Sequence, residues 1–164
     1  MAGDYSVFRS TRGVRWGTAA LLLAILATVT APGVAQRNGS GALVRLDGTA
    51  VGSELFEGNV IAVFFATWSP RCRDVVERAN DLHKVWGGRA RVVLVDFQES
   101  ESEVRRFLGE QDSKVDVLLD RDGSFSKRHG VTTLPTLLVL ESGSVAFKGR
   151  LPADADSILR PILN

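Results

Sequence analysis

Apolar residues run unbroken from Val60 to Ala66. A strand covered on both faces of a sheet reads this way. Arg91 to Phe97 reads as a second buried strand. Between the two the period changes. Val75, Val76, Ala79, Leu82 and Trp86 share one stripe of a helix that opens near Pro70, and Gly87-Gly88 ends it. Upstream, Leu43 to Leu46 predicts a short strand and Asp47-Gly48 a turn. Downstream, Ser100 and Glu103 form a capping-box signature ahead of Val104, Phe107 and Leu108. Val115 to Leu119 reads as a short strand, Asp122-Gly123 as a turn, and Phe125 to His129 as a short helix stopped by Gly130. Thr136 to Leu140 and Val145 to Lys148 read as strands of a hairpin joined through Glu141-Ser142-Gly143-Ser144. Ile158, Leu159, Ile162 and Leu163 mark a last amphipathic helix. This alternation predicts an α/β sandwich with parallel early strands and an antiparallel late pair. No internal repeat or low-complexity segment interrupts it.

The first residues follow a different pattern. Arg9, Arg12 and Arg15 precede an uncharged stretch from Trp16 to Gln36, with Leu21 to Leu26 at the centre of its apolar core. Small residues, Gly33-Val34-Ala35, close it. This is the pattern of an export signal, either cleaved or kept as a membrane anchor. No cysteine follows the core, which excludes a lipoprotein anchor, and no paired arginines precede it. Residues 1–35 are thus expected to be signal peptide or anchor, 36–42 a polar, glycine-rich linker, and 43–164 the folded domain. An extracytoplasmic location follows from this reading, with membrane contact through the N-terminal segment if it is not cleaved.

Composition adds limits. Residues 1–35 take three of the 20 basic and one of the 19 acidic side chains, which leaves the remainder at a net charge of −1. No basic stripe stands out, so nucleic acid is not an expected partner. Cys72 is the only cysteine of the 164 residues. An intramolecular disulfide and a cysteine-rich zinc site are therefore excluded, and neither metal nor cofactor is expected.

That cysteine closes the segment Trp68-Ser69-Pro70-Arg71-Cys72, between the Val60 strand and the helix. Two cysteines at this spacing would form a dithiol couple; here Ser69 holds the first position. Ser followed by Pro is a helix start, with Ser69 as N-cap and its oxygen accepting the Cys72 N–H. A serine hydroxyl is a poor nucleophile without a base, and neither His83 nor His129 is near it in sequence, so capping is the expected role. Arg71, Arg73 and a helix N-terminus would favour a thiolate at Cys72. The other reading of Cys72 is a small buried hydrophobe.

Val63 to Cys72 resembles the active-site segment of thioredoxin-fold proteins, and Gly130-Val131-Thr132-Thr133-Leu134-Pro135-Thr136 resembles their cis-proline loop. Leu46-Asp47-Gly48 and Asp120-Arg121-Asp122-Gly123 are similar to the exported TlpA/ResA type. The resemblance implies a thioredoxin-like three-layer sandwich with a mixed central sheet flanked by helices. In that family a Cys-x-x-Cys pair reduces or rearranges disulfides outside the cytoplasm, including those of apocytochrome c. The resemblance also implies a cis bond at Pro135, a Leu134 backbone that pairs with an extended substrate segment, and a Trp68 that packs beside the site.

This chain departs from the family at the chemistry. Ser69 replaces the attacking cysteine. Only Asp74 or Glu77 could stand for the acidic residue that follows the second cysteine, the helix-kinking proline is missing, and Val63 stands where cytoplasmic thioredoxins bury an aspartate. Peroxiredoxins also place Thr or Ser three residues before a reactive cysteine, but their proline seven residues before it is here Phe65. Copper-binding members need two cysteines and a histidine, so His83 and His129 read as structural. Two functions remain. One is a binding module for a protein or peptide client in the cell envelope, which keeps the groove at Leu134 and Pro135 without dithiol catalysis. The alternative is a monothiol enzyme that uses Cys72 in mixed-disulfide or peroxide chemistry.

Overall fold

The computed structural model describes residues 42–109 and 111–163. The expected leader, 1–35, and all but the last residue of the expected linker lie outside them. Among the described residues no helix is long and apolar enough to cross a membrane.

Six strands form one mixed sheet: β1 (Val44–Arg45), β2 (Val60–Phe65), β3 (Arg91–Phe97), β4 (Asp116–Asp120), β5 (Thr136–Glu141) and β6 (Ser144–Arg150). Their spatial order is β1-β4-β3-β2-β5-β6. Both long apolar runs lie inside the sheet, with β2 between β3 and β5. Every residue of β2 is buried, as continuous apolarity requires of a strand covered on both faces. The helices are α1 (Val75–Trp86), α2 (Glu101–Leu108), α3 (Ser124–Arg128) and α4 (Asp156–Leu163). The chain crosses from β2 through α1 to β3, and from β3 through α2 to β4, which makes these three strands parallel. The β5–β6 hairpin runs antiparallel to β2. Its turn uses Ser142 and Gly143, both at positive φ (49° and 78°), the conformation that matches the twist of paired strands.

β1 corrects the expectation that the early strands are parallel. It lies antiparallel on the outer edge of β4, with Val44 opposite Leu119. It is only two residues long because Gly48, at φ 83°, turns the chain almost at once.

Side-chain alternation divides the core into two layers. Ile61, Val63, Phe65, Val92 and Leu94 face α1, α2 and α4, with Val75, Val76, Ala79, Val104, Leu159 and Leu163 packed on them. Ala62, Phe64, Val93 and Val95 face the other way, onto Leu43, Leu55 and Phe125 of α3. The result is three layers, helices–sheet–helix. The Trp86 indole N–H donates to Asp156 Oδ1 at 2.8 Å, and the Arg78 guanidinium donates to the Pro152 carbonyl, so α1 holds the start of α4. The Ser100–Glu103 capping box is formed, with the Glu103 amide donating to Ser100 Oγ at 3.3 Å and the Ser100 amide donating to Glu103 Oε2 at 2.8 Å.

Candidate functional site

β2 delivers the chain to the end of the sheet at Ala66, and the motif turns there. The Ser69 amide donates to the Ala66 carbonyl (3.2 Å), and the Cys72 amide donates to the Ser69 carbonyl (2.9 Å). Pro70–Cys72 is a single 3₁₀ turn, and α1 starts only at Val75. This corrects two sequence expectations. Ser69 sits at the N-cap with extended backbone (φ −83°, ψ 116°), but its side chain makes no capping bond. The Cys72 N–H that the hydroxyl was expected to take already bonds the Ser69 carbonyl in the i→i+3 pattern of the turn. Cys72 also lies in the 3₁₀ turn ahead of α1 rather than in the first turn of that helix.

Cys72 has no exposed surface and packs in the α1 layer of the core. Ser69, at 7% exposure, keeps a narrow opening. Pro70, Arg71 and Arg73 are exposed. Trp68 is 66% exposed. The resemblance implied a packing residue, but β2 ends before Trp68 and the turn carries the indole out over the surface.

The facing wall comes from the loop ahead of β5. The Leu134–Pro135 bond is cis, Pro135 is buried and Leu134 half-buried. Thr136 anchors the loop by donating from Oγ1 to the Thr133 carbonyl at 2.5 Å. Among the described residues, no loop or cap hydrogen bond engages the Leu134 backbone. Between the two walls lies a groove of about 650 Å³, lined on one side by Trp68, Ser69, Pro70 and Arg71 and on the other by Val131, Thr132, Thr133 and Leu134, with Phe97 beside them. The fold thus brings the motif residues and Leu134 together, places Pro135 directly behind, and leaves Cys72 beneath the groove rather than in its lining.

A second cluster supports the motif and was not singled out in the sequence. Asp96 is the sixth residue of β3 and is fully buried. It pairs in register with Phe65 and follows Val92 and Leu94 on the α1 face, the face that Val63 also occupies. Asp96 Oδ2 accepts the Glu99 amide at 3.0 Å, while Oδ1 has no hydrogen-bond partner among the described residues. Burial, and then the Glu99 carboxyl beside it, push the Asp96 carboxyl up to about 8. Glu99 in turn accepts the Thr67 amide (2.6 Å) and the Thr67 hydroxyl (2.5 Å). Thr67 is the residue before Trp68. A carboxylate after four consecutive apolar residues of a strand was the available sequence signal for this cluster.

The remaining candidates do not join the site. His83 is exposed on α1, and His129 packs at a tilt against Phe125, with ring centroids 4.6 Å apart and planes 53° apart. Burial, and then the Arg128 charge, hold the His129 imidazole below its usual value. Asp74 and Glu77 are exposed at the start of α1.

A mixed sheet with a Ser-x-x-Cys turn opposite a cis-proline loop defines a thioredoxin-fold protein similar to the TlpA/ResA group. The chain belongs to the Redoxin family, whose model matches residues 28–159. It is 26% identical over 98 residues to the thiol-disulfide oxidoreductase ResA of Bacillus thuringiensis, covering 58% of this chain and 57% of that protein. It is 30% identical over 89 residues to the thioredoxin-like protein YneN of Bacillus subtilis, covering 52% of each. The chain therefore spans about half the length of these curated relatives. Among solved structures, a crystal structure assigned to a DsbE-type thiol:disulfide interchange protein of Chlorobium tepidum superposes with a TM-score of 0.64 at 25% identity, covering 74% of this chain and 89% of the other.

Proposed function

We propose that this protein is an exported thioredoxin-fold module that binds extended segments of protein clients in the cell envelope and does not carry out dithiol catalysis. One observation carries the reading: an apolar groove joins the motif turn to the cis-proline loop, while the only thiol lies wholly buried behind it. Release of a reduced product needs a second thiol to attack the mixed disulfide, and Ser69 cannot supply it. Strand addition needs only backbone donors and acceptors with side-chain pockets beside them. The Leu134 backbone and the groove offer both. Export is supported by the arginine-flanked apolar leader, and the redox setting by the family and by the printed activity of the ResA relative.

The test has two arms. The full-length chain, assayed for reduction of insulin disulfides, shows no turnover. A reduced, unfolded polypeptide with its cysteines blocked shifts Trp68 fluorescence on titration, with Trp68→Phe as the control for Trp16 and Trp86. Steady insulin reduction lost on Cys72→Ala would establish the monothiol reading instead. Absence of any binding signal would sink the groove reading.

A further inference from the structure

The groove wall that carries Trp68 is tied to the loop after β3 through Thr67, whose amide and hydroxyl both bond Glu99. Glu99 is itself held by Asp96, three residues earlier at the end of β3, whose Oδ2 accepts the Glu99 amide. The Glu99 amide bonds Asp96 Oδ2, so the two acidic side chains are neighbours, and the Glu99 carboxyl opposes ionisation of Asp96. Two bare carboxylates cannot bond one another, because each is only an acceptor. A proton on Asp96 turns the contact into an O–H donor facing the Glu99 carboxylate. The Glu99 oxygens meanwhile accept the amide and hydroxyl of Thr67. This arrangement accounts for an aspartate oxygen that is fully buried and otherwise unpartnered.

We propose that Asp96 and Glu99 act as one proton-holding pair that positions the Thr67–Trp68 wall of the groove. Loss of the proton leaves two adjacent buried carboxylates, whose repulsion and desolvation are relieved only if Glu99 turns away from Asp96 and loosens its hold on Thr67. The Asp96 O–H bond breaks, its proton passes to solvent base, and the electron pair stays on the carboxylate. The groove is therefore set below the value of about 8 to which the Asp96 carboxyl is pushed, and slackens above it.

The surroundings fit this direction. Glu103 of α2 adds a like charge that opposes ionisation of Asp96. The motif turn and α1 contribute Cys72 and the apolar Val75 and Val76 to the same layer. On the outer side, Glu99 lines a cleft with Glu101, Arg105 and Arg121, and both arginines are ion-paired to Glu101. Asp120, on β4, is committed to the opposite face, where it accepts the Phe125 and Ser126 amides at the start of α3.

The experiment is an NMR pH titration of the full-length chain, which follows the Asp96 and Glu99 carboxyl carbons and the amides of Thr67 and Trp68. The wild type shows one step, shared by Asp96, Glu99 and Thr67, in the mildly alkaline range. In Asp96→Asn, which keeps the shape and a donor toward Glu99, the Thr67 step disappears. In Glu99→Gln the Thr67 amide loses its low-field position at every pH. A Thr67 amide that stays still while Asp96 titrates overturns the proposal, as does a step that survives unchanged in Asp96→Asn. The wild-type carboxyl titration stands even if a variant fails to fold, since an Asp96 that ionises in the ordinary carboxylate range also overturns it. A second readout rests on the groove-binding reading: polypeptide affinity drops across the same step in the wild type and stays flat in Asp96→Asn. The NMR arm needs no ligand, so it separates failure of the proton pair from failure of the groove to bind.

Discussion

Asp96→Asn should change how stability depends on pH, and the size of the change follows from burial. The ordinary aspartate value is about 3.9, and in the fold the Asp96 carboxyl is pushed up to about 8. Across that window the folded chain holds one more proton than the unfolded chain. Stability therefore falls as pH rises, by up to about 1.4 kcal/mol per pH unit. Integrated from pH 5 to pH 8, the loss is roughly 3–4 kcal/mol, and it levels off above the folded value, where both states are ionised. Asparagine removes the titration and keeps the volume. The difference in unfolding free energy, variant minus wild type, should thus rise by about that amount between the two pH values. Taking the difference cancels groups common to both proteins. Asp47 and Glu103 are held below their usual values, chiefly by hydrogen bonds from Thr49 and Ser100, and their contributions are lost as pH falls. His129 is held low by burial, so its contribution is present above its unfolded value and is also lost toward acid. Urea unfolding of both proteins at intervals between pH 5 and pH 8 measures the difference. Parallel curves would show that Asp96 is ionised in the folded chain at neutral pH, and would refute the reasoning.

Three further outcomes follow from the site and the core. Ser69→Cys should fold without penalty beyond about 0.5 kcal/mol, because no side-chain capping bond is lost. Mild oxidation should then close a short loop to Cys72, worth about 2 kcal/mol against the reduced variant; a thiol count that still finds two free thiols contradicts this. Trp68→Ala removes a side chain that is 66% exposed, so urea stability should stay within about 0.5 kcal/mol of wild type while polypeptide binding falls; an unchanged affinity would remove the indole from the groove's function. Leu159→Ala empties a fully buried position under α4 and should cost about 2–5 kcal/mol; a loss below about 1 kcal/mol in thermal or urea unfolding would mean that α4 does not close this layer of the core.

The strands and helices were legible because each has a strong local signature. β2 and β3 are apolar on both faces, α2 carries its capping box, and the hairpin has its Ser-Gly turn. The Ser69–Cys72 spacing and the Pro135 loop were legible as motifs for the same reason: both sit at fixed offsets from strong strands. Three features were misread or missed because the local pattern does not show which backbone turn forms or what lies against it. Ser69 lost its capping role to its own carbonyl in a 3₁₀ turn. Trp68 is exposed because nothing covers the turn that follows β2. Asp96 looked like one polar residue in a strand, and its meaning comes from Glu99 and from Thr67, which Glu99 bonds across 32 positions of the chain.

By itself the sequence determined the order of elements, the buried central strands and the presence of a single thiol one turn after a serine. These are properties of local pattern and of composition, and neither needs a third dimension. Tertiary structure decided the edge position of β1, the depth of Cys72, the groove between the motif turn and Leu134, and the company that Asp96 keeps. Each of those depends on desolvation and on hydrogen bonds between segments far apart in the chain. Such terms have no value until the sheet has fixed which strand ends lie side by side.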